Sequence, residues 1–86
     1  MIKLKYYEVD GYKGSTIIQH KKLFTLRELK NMYKKAKIHA DFKSEIIAQS
    51  LCLLFGFEIL DNKYEGFIER DFVIDTDTDK IYKGVD

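Results

Sequence analysis

Four basic residues recur at helical spacing early in the chain: Arg27, Lys30, Lys34 and Lys37. On a helical wheel they fall within about 80° of one another, beside an apolar stripe. Such a face can bind a phosphate backbone, although solvated lysine-rich faces are also common on soluble proteins. Only Arg27 and Asn31 could additionally read base edges, and the pI of about 7.8 is below that of a dedicated nucleic-acid domain. Nucleic-acid binding through these four residues is the second functional hypothesis.

A group of acidic residues near the C-terminus could bind a basic groove on another protein. It consists of Glu69, Asp71, Asp75, Asp77 and Asp79, with Glu65 just before them. The spacing of Asp75–Asp79 resembles the start of a calcium-binding loop, but Lys80 stands where that loop needs glycine and Asp86 where it needs glutamate. A β-turn accounts for the same residues, because Asp and Thr favour turns. We therefore expect neither a metal nor another cofactor.

Nucleophiles and bases are present, but in no arrangement typical of an enzyme. The candidates are Ser15, Ser44, Ser50, Cys52, His20 and His39. None of the serines lies in a recognised nucleophile motif, and the spacing of His20, His39 and Cys52 matches no zinc site. A chain of 86 residues also has little room for a deep substrate pocket. We expect no catalytic activity.

The charges are divided unevenly along the chain. Residues 1–43 hold eleven Lys and Arg against four Asp and Glu, a net charge of +7, whereas residues 44–86 hold four against ten, a net charge of −6. The two halves could pair these charges internally, or each could present a charged face to a partner. The leading hypothesis is a non-catalytic module that binds a protein partner through this charge-polarised surface. A small phage- or mobile-element-encoded effector or inhibitor would have this size and polarity.

Targeting signals do not stand out. Met1–Asp10 lacks the apolar run of a signal peptide, and the longest unbroken apolar stretch, Leu51–Phe55, is too short to span a membrane. The sequence predicts one small cytoplasmic domain over residues 1–86, without membrane contact.

The first half predicts a β-hairpin followed by a helix. Alternation over Ile2–Val9 indicates a strand with one buried face, with Ile2, Leu4 and Tyr6 on one side and Lys3, Lys5 and Tyr7 on the other. A glycine-containing turn then leads to a strand over Thr16–Lys22. Thr25 and Glu28 form a capping box that begins a helix over Leu26–Lys37. Tyr7, Tyr12 and Tyr64 are the tyrosines expected nearest the surface, where tyrosine often anchors interfaces.

The segment Asp41–Phe57 is the longest strongly apolar stretch and predicts the central helix of the core. Asp41 is suited to cap its start and Gly56 to end it. Its apolar residues fall into one arc of Ile47, Ala48, Leu51, Leu54 and Phe55 and a second of Phe42, Ile46 and Leu53. Two arcs suggest two packing partners. If the domain leaves one arc uncovered, a homodimer is a third possibility.

The last third predicts short strands at Phe57–Leu60, Phe72–Ile74 and Lys80–Lys83, with turns at residues 61–63 and 75–79. The predicted fold is α+β in two layers: an antiparallel sheet with two helices on one face, in the order β-β-α-α-β-β(-β).

Overall fold

The chain begins with a β-hairpin that forms the middle of a sheet. In the structure, a computed structural model that describes residues 3–12, 14–60 and 69–84, β1 (Lys5–Gly11) pairs antiparallel with β2 (Gly14–His20). Two helices follow, α1 (Leu26–Lys43) and α2 (Ile47–Phe55). Three short strands complete the fold: β3 (Glu58–Ile59), β4 (Phe72–Asp75) and β5 (Lys80–Lys83). The predicted α+β class and element order are confirmed.

The sheet is mixed, so the prediction of a wholly antiparallel sheet is wrong for one pair of strands. The described strands lie in the order β3-β2-β1-β4-β5, and β4 runs parallel to β1, with Tyr7 opposite Phe72 and Val9 opposite Ile74. The sequence pattern indicates relative direction only for strands joined by a tight turn, as in the hairpin. β1 and β4 are distant in sequence, so their direction depends on the path of the whole chain.

One face of the sheet carries both helices. Tyr7, Ile18, Phe72, Ile74 and Ile81 lie on this face and pack with the buried side chains of α1 and α2 in a single apolar cluster. The helix-side members of that cluster include Leu29, Met32, Tyr33, Ala36, Ala48 and Leu51. This confirms the two-layer arrangement, in which each layer buries one apolar face against the other.

Tyr7 is the clearest correction to the sequence analysis. Its expected place is near the surface, yet it is 0% exposed at the centre of the core, whereas Tyr12 is 85% exposed as predicted. β1 begins at Lys5 and lies between β2 and β4, so Tyr7 and Val9 point towards the helices. The alternation at the start of the chain therefore predicts the wrong buried face. Tyr64, Glu65 and the turn at residues 61–63 lie outside the described residues.

The bounds of the two helices differ from those predicted. α1 runs on past Lys37 to Lys43, so Asp41 lies in its last turn instead of capping a second helix. Ser44, in the left-handed conformation at φ 54°, ends α1, and its N–H bonds the carbonyls of Ala40 and Asp41. α2 is only nine residues long, and its N-cap residue, Ile46, supplies no side-chain hydrogen bond. The break between the two helices therefore lies at residues 44–46 and not at the predicted residues 38–40.

Two features of the helices agree with the sequence analysis. The Thr25 hydroxyl accepts a hydrogen bond from the Glu28 N–H at 3.1 Å, and the Glu28 carboxylate accepts one from the Thr25 N–H at 3.0 Å, which is the predicted capping box. Gly56 ends α2 in the left-handed conformation at φ 78°. Within the described ranges, no helix is long and apolar enough to cross a membrane.

Candidate interaction surface

The predicted basic face lies on the outside of α1, and within the described part of the chain three of its four residues are without an acidic partner. The side chains of Arg27, Lys30 and Lys34 are exposed and form no ion pair with any residue in ranges 3–12, 14–60 and 69–84. We call these three residues the basic stripe. The fourth, Lys37, pairs with Asp79 at 2.8 Å. The basic stripe is therefore available to attract an anionic partner, whereas Lys37 already has one.

A small polar network joins α1 to the turn between β4 and β5. The Tyr33 hydroxyl and the Lys37 ammonium both donate to the carboxylate of Asp79. These two hydrogen bonds, the one from Lys37 first, lower the pKa of Asp79. Burial, followed by the nearby Asp79 carboxylate, raises the pKa of Tyr33. The network thus uses one predicted basic residue and one predicted acidic residue to hold the fold together.

The other acidic candidates are divided between the two ends of β4. Asp71 precedes the strand, and its carboxylate accepts the Tyr6 N–H at 2.9 Å. Asp75 ends the strand, and its carboxylate accepts the N–H groups of Asp77 at 3.0 Å and Thr78 at 3.4 Å. Four residues of strand span roughly 13 Å, so Asp71 lies well apart from the turn.

Glu69 and Asp77 complete the predicted acidic group, and both are exposed. The structure therefore brings Asp75, Asp77 and Asp79 together in one turn, as the sequence indicated, but leaves Glu69 and Asp71 outside it. Among the described residues, no three His, Cys, Asp or Glu side chains are grouped so that they could hold a metal ion.

Part of the charge imbalance is balanced inside the fold. Within the described ranges, Lys37 of the basic half pairs with Asp79 of the acidic half. Arg70 and Glu8 also form an ion pair between the halves, but there the base comes from the acidic half and the acid from the basic half. Glu8 lies on the sheet face opposite the helices, between Ile17 and Val73, which are both buried. Burial raises the pKa of Glu8, against the opposing effect of Arg70. Internal pairing and an open basic surface therefore coexist in this molecule.

A group of exposed apolar side chains occupies the outer surface of the helical layer. We call it the apolar patch; it consists of Ile38, Phe42, Ile46, Leu53 and Leu54, of which Phe42 is 82%, Ile38 73% and Leu53 71% exposed. Ile38 and Phe42 are four residues apart on α1 and therefore neighbours. Ile38 and Ile46 line the same groove, and Leu53 lies two turns along α2 from Ile46. The patch contains the whole second apolar arc predicted from the sequence.

Leu54 belongs to the first of the two apolar arcs for which the sequence analysis expects packing partners, yet it is 42% exposed. α2 is short and packs mainly on α1, with a smaller contact to the sheet at β2 and β3, so part of each arc remains in solvent. Several large exposed apolar side chains on neighbouring helices are typical of interaction sites on small domains.

A serine, a histidine and a glutamate meet where α1 turns into α2, which no local sequence signal indicated. The Ser50 hydroxyl donates to the Glu45 carboxylate at 2.7 Å, and Nδ1 of His39 lies 2.9 Å from that hydroxyl and 3.1 Å from the carboxylate. A catalytic triad needs the histidine to use a different nitrogen for each partner, but here Nδ1 faces both. Ser50 is also fully buried, so the cluster ties the two helices together and offers no nucleophile to a substrate.

Another candidate nucleophile, Cys52, is half-buried. Burial, followed by the charge of Glu58, raises the pKa of its thiol. A reactive cysteine needs the opposite shift, towards the thiolate. Cys52 therefore acts as a small apolar side chain at the edge of the core.

A cleft of about 360 Å³ separates the hairpin turn from the start of α2. Gly11, Gly14 and the first residues of α2 line it, an arrangement that in other proteins can hold a phosphate. The carboxylates of Asp10 and Glu45 also line the cleft, and negative charge there opposes anion binding.

Comparison with protein-family models, curated proteins and solved structures finds no significant match.

Proposed function

We propose that this protein is a small non-catalytic interaction module that binds a protein partner through the outer surface of its helical layer. The observation that carries this proposal is the apolar patch. An aromatic ring as exposed as that of Phe42, on a helix next to further exposed Ile and Leu side chains, is typical of a surface that another protein covers.

The position of the basic stripe next to the apolar patch also supports this proposal. It lies on α1 immediately before Ile38 and Phe42, so that apolar and basic groups follow one another along one helix. Cations beside an apolar contact increase the rate of association with an acidic partner and select against basic ones. The module acts in the cytoplasm, and its size and charge division suit an effector or inhibitor encoded by a phage or mobile element.

The direct test is affinity capture of the tagged protein from lysate of the cells that make it, with half of the lysate treated with nuclease. We expect the same protein from both halves, and we expect Phe42→Glu to abolish its recovery. Leu23→Glu is the matched control, because Leu23 is also exposed, at 52%, but lies outside the apolar patch. Capture that Phe42→Glu leaves unchanged would contradict the proposal.

Nucleic-acid binding is the second candidate, favoured by one observation: the cations of the basic stripe have no acidic partner among the described residues. The probe is a fluorescent duplex or single-stranded oligonucleotide titrated at several salt concentrations. Reversal of Lys30 and Lys34 to Glu should weaken binding and reduce the salt slope by about one for each phosphate group that the variant no longer binds. Lys37 is left unchanged, because its reversal would break the ion pair with Asp79. An unchanged slope would remove this candidate.

A further inference from the structure

We propose that the occupant of the apolar patch is a second copy of this chain, and that the protein is a symmetric homodimer in which the two α1 helices pack antiparallel about a twofold axis near Ile38. This inference rests on the proposed function, since it names the partner that covers the surface described there. Three properties of the surface support it: its exposed apolar residues on α1, its charge pattern and its area.

The residues of α1 that would meet at this axis are apolar and exposed. Phe42 projects from α1 with 82% of its area exposed, and Ile38, one turn before it, is 73% exposed. A twofold interface uses the same patch on both copies. With the axis near Ile38, the Ile38 side chains of the two copies meet, and Phe42 of each copy lies opposite Lys34 and Lys35 of the other.

The charges around Ile38 are arranged as a twofold axis requires. Lys34 lies four residues before Ile38 and Asp41 three residues after it, and the seven-residue interval puts both on the same side of α1. A twofold axis reverses the direction of the second helix and keeps this side in register. Lys34 of one copy therefore faces Asp41 of the other, twice. Among the described residues, neither side chain has a charged partner within its own chain.

This pairing favours a second copy over an unrelated protein. An apolar surface rimmed by one sign of charge would select a partner of the opposite sign. Both signs of charge occur around the apolar patch. Lys34 and Lys35 precede Ile38, whereas Asp41 directly precedes Phe42 and Glu45 follows it by three residues. Such a rim complements its own reversed copy.

The area also suits a small dimer. The five side chains of the apolar patch expose on the order of 500 Å² of apolar surface, at about 200 Å² for a fully exposed large side chain. That is near the upper end of the largest patch on a typical monomer. A standard interface buries about 800 Å² on each partner, which the patch and its charged rim together can supply.

Sedimentation equilibrium from low micromolar to several hundred micromolar tests the inference with the purified protein alone. We expect the mass to rise with concentration from 10.2 kDa to twice that value. Phe42→Glu and Leu53→Glu should each keep the protein monomeric at every concentration, whereas the control Leu23→Glu should dimerise normally. Circular dichroism of each variant shows that the fold is retained.

Charge exchange tests the antiparallel arrangement itself. Lys34→Glu and Asp41→Lys should each raise the dimer dissociation constant by about tenfold, since two symmetric pairs become repulsive. The double variant should return it towards the original value. An additive effect in the double variant would overturn the arrangement.

A protein that stays monomeric throughout would overturn the dimer. In that case, if Phe42→Glu still abolishes capture of a different protein, the proposed function stands without the further inference. If the protein dimerises but Phe42→Glu and Leu53→Glu leave the dissociation constant unchanged, the interface lies elsewhere and the inference is also overturned.

Discussion

The hydroxyl group of the buried Tyr7 donates a hydrogen bond of 2.7 Å to the backbone carbonyl of Lys22. The same hydroxyl accepts the N–H of Phe24 at 3.0 Å. Tyr7 thereby satisfies two backbone groups of the segment that connects β2 to α1. Its ring also packs edge-on against Phe57 and parallel to Phe72, with centroids 5.3 Å and 6.2 Å away. The central strand is thus joined to both the connection and the aromatic core.

We predict that Tyr7→Phe destabilises the protein by about 1–3 kcal/mol, the cost of leaving buried polar groups without partners. The ring contacts remain, so the change reports the hydroxyl alone. Tyr82→Phe is the control: Tyr82 is 46% exposed, and a surface change of this kind alters the unfolding free energy by less than about 0.5 kcal/mol. Urea unfolding of the three proteins measures both effects. Equal destabilisation in the two variants would contradict a structural role for the Tyr7 hydroxyl.

The Asp79 network predicts a dependence of stability on pH. Because the folded-state pKa of Asp79 is lowered, the folded protein binds a proton there less readily than the unfolded chain does. This stabilisation is complete above the ordinary aspartate pKa of about 3.9. It is lost as the pH falls through the lowered folded-state value.

Asp79→Asn should lower the unfolding free energy at neutral pH and flatten its decline below about pH 3.9. Asparagine tolerates the left-handed backbone of Asp79, at φ 58°, so the change reports the charge and not backbone strain. Asp77→Asn is the matched control, because Asp77 is exposed and the hydroxyl of Tyr33 and the ammonium of Lys37 donate to Asp79 instead. The measurement is urea unfolding at a series of acidic pH values. If the two variants show the same acid slope, the network does not stabilise the fold.

The two left-handed helix ends predict substitutions of opposite sign. Ser44→Gly should stabilise the protein by about 0.5–1 kcal/mol, because glycine adopts φ 54° without the strain of a side chain. Gly56→Ala should destabilise it by about 1–2 kcal/mol. A Cβ at Gly56 would lie 3.8 Å from the nearest side-chain atom, Nε2 of His20, so that destabilisation reflects backbone strain and not a clash. Thermal unfolding measures both, and a stabilising Gly56→Ala would contradict this account.

Elements marked by nearby residues could be predicted from the sequence because their causes are local. The Thr25–Glu28 capping box, the stop at Gly56, the hairpin and the strand at residues 72–74 each depend on residues a few positions apart. The order of the elements and the α+β class follow from them. The candidate surface was partly predictable for the same reason: helical spacing placed Arg27, Lys30 and Lys34 on one face, and two apolar arcs already suggested more apolar surface than a small domain can bury.

Tertiary structure decided everything that depends on residues distant in sequence. The parallel pairing of β1 with β4 determines which face of β1 is buried, and hence that Tyr7 is a core residue. The contact between Lys37 and Asp79 removes one cation from the basic face because the β4–β5 turn lies beside α1. The break at Ser44 places Phe42 at the end of α1 and Leu53 on a separate helix of nine residues, and both side chains remain exposed. In each case the sequence supplied the side chains, while the packing of helices on sheet decided which of them solvent can reach.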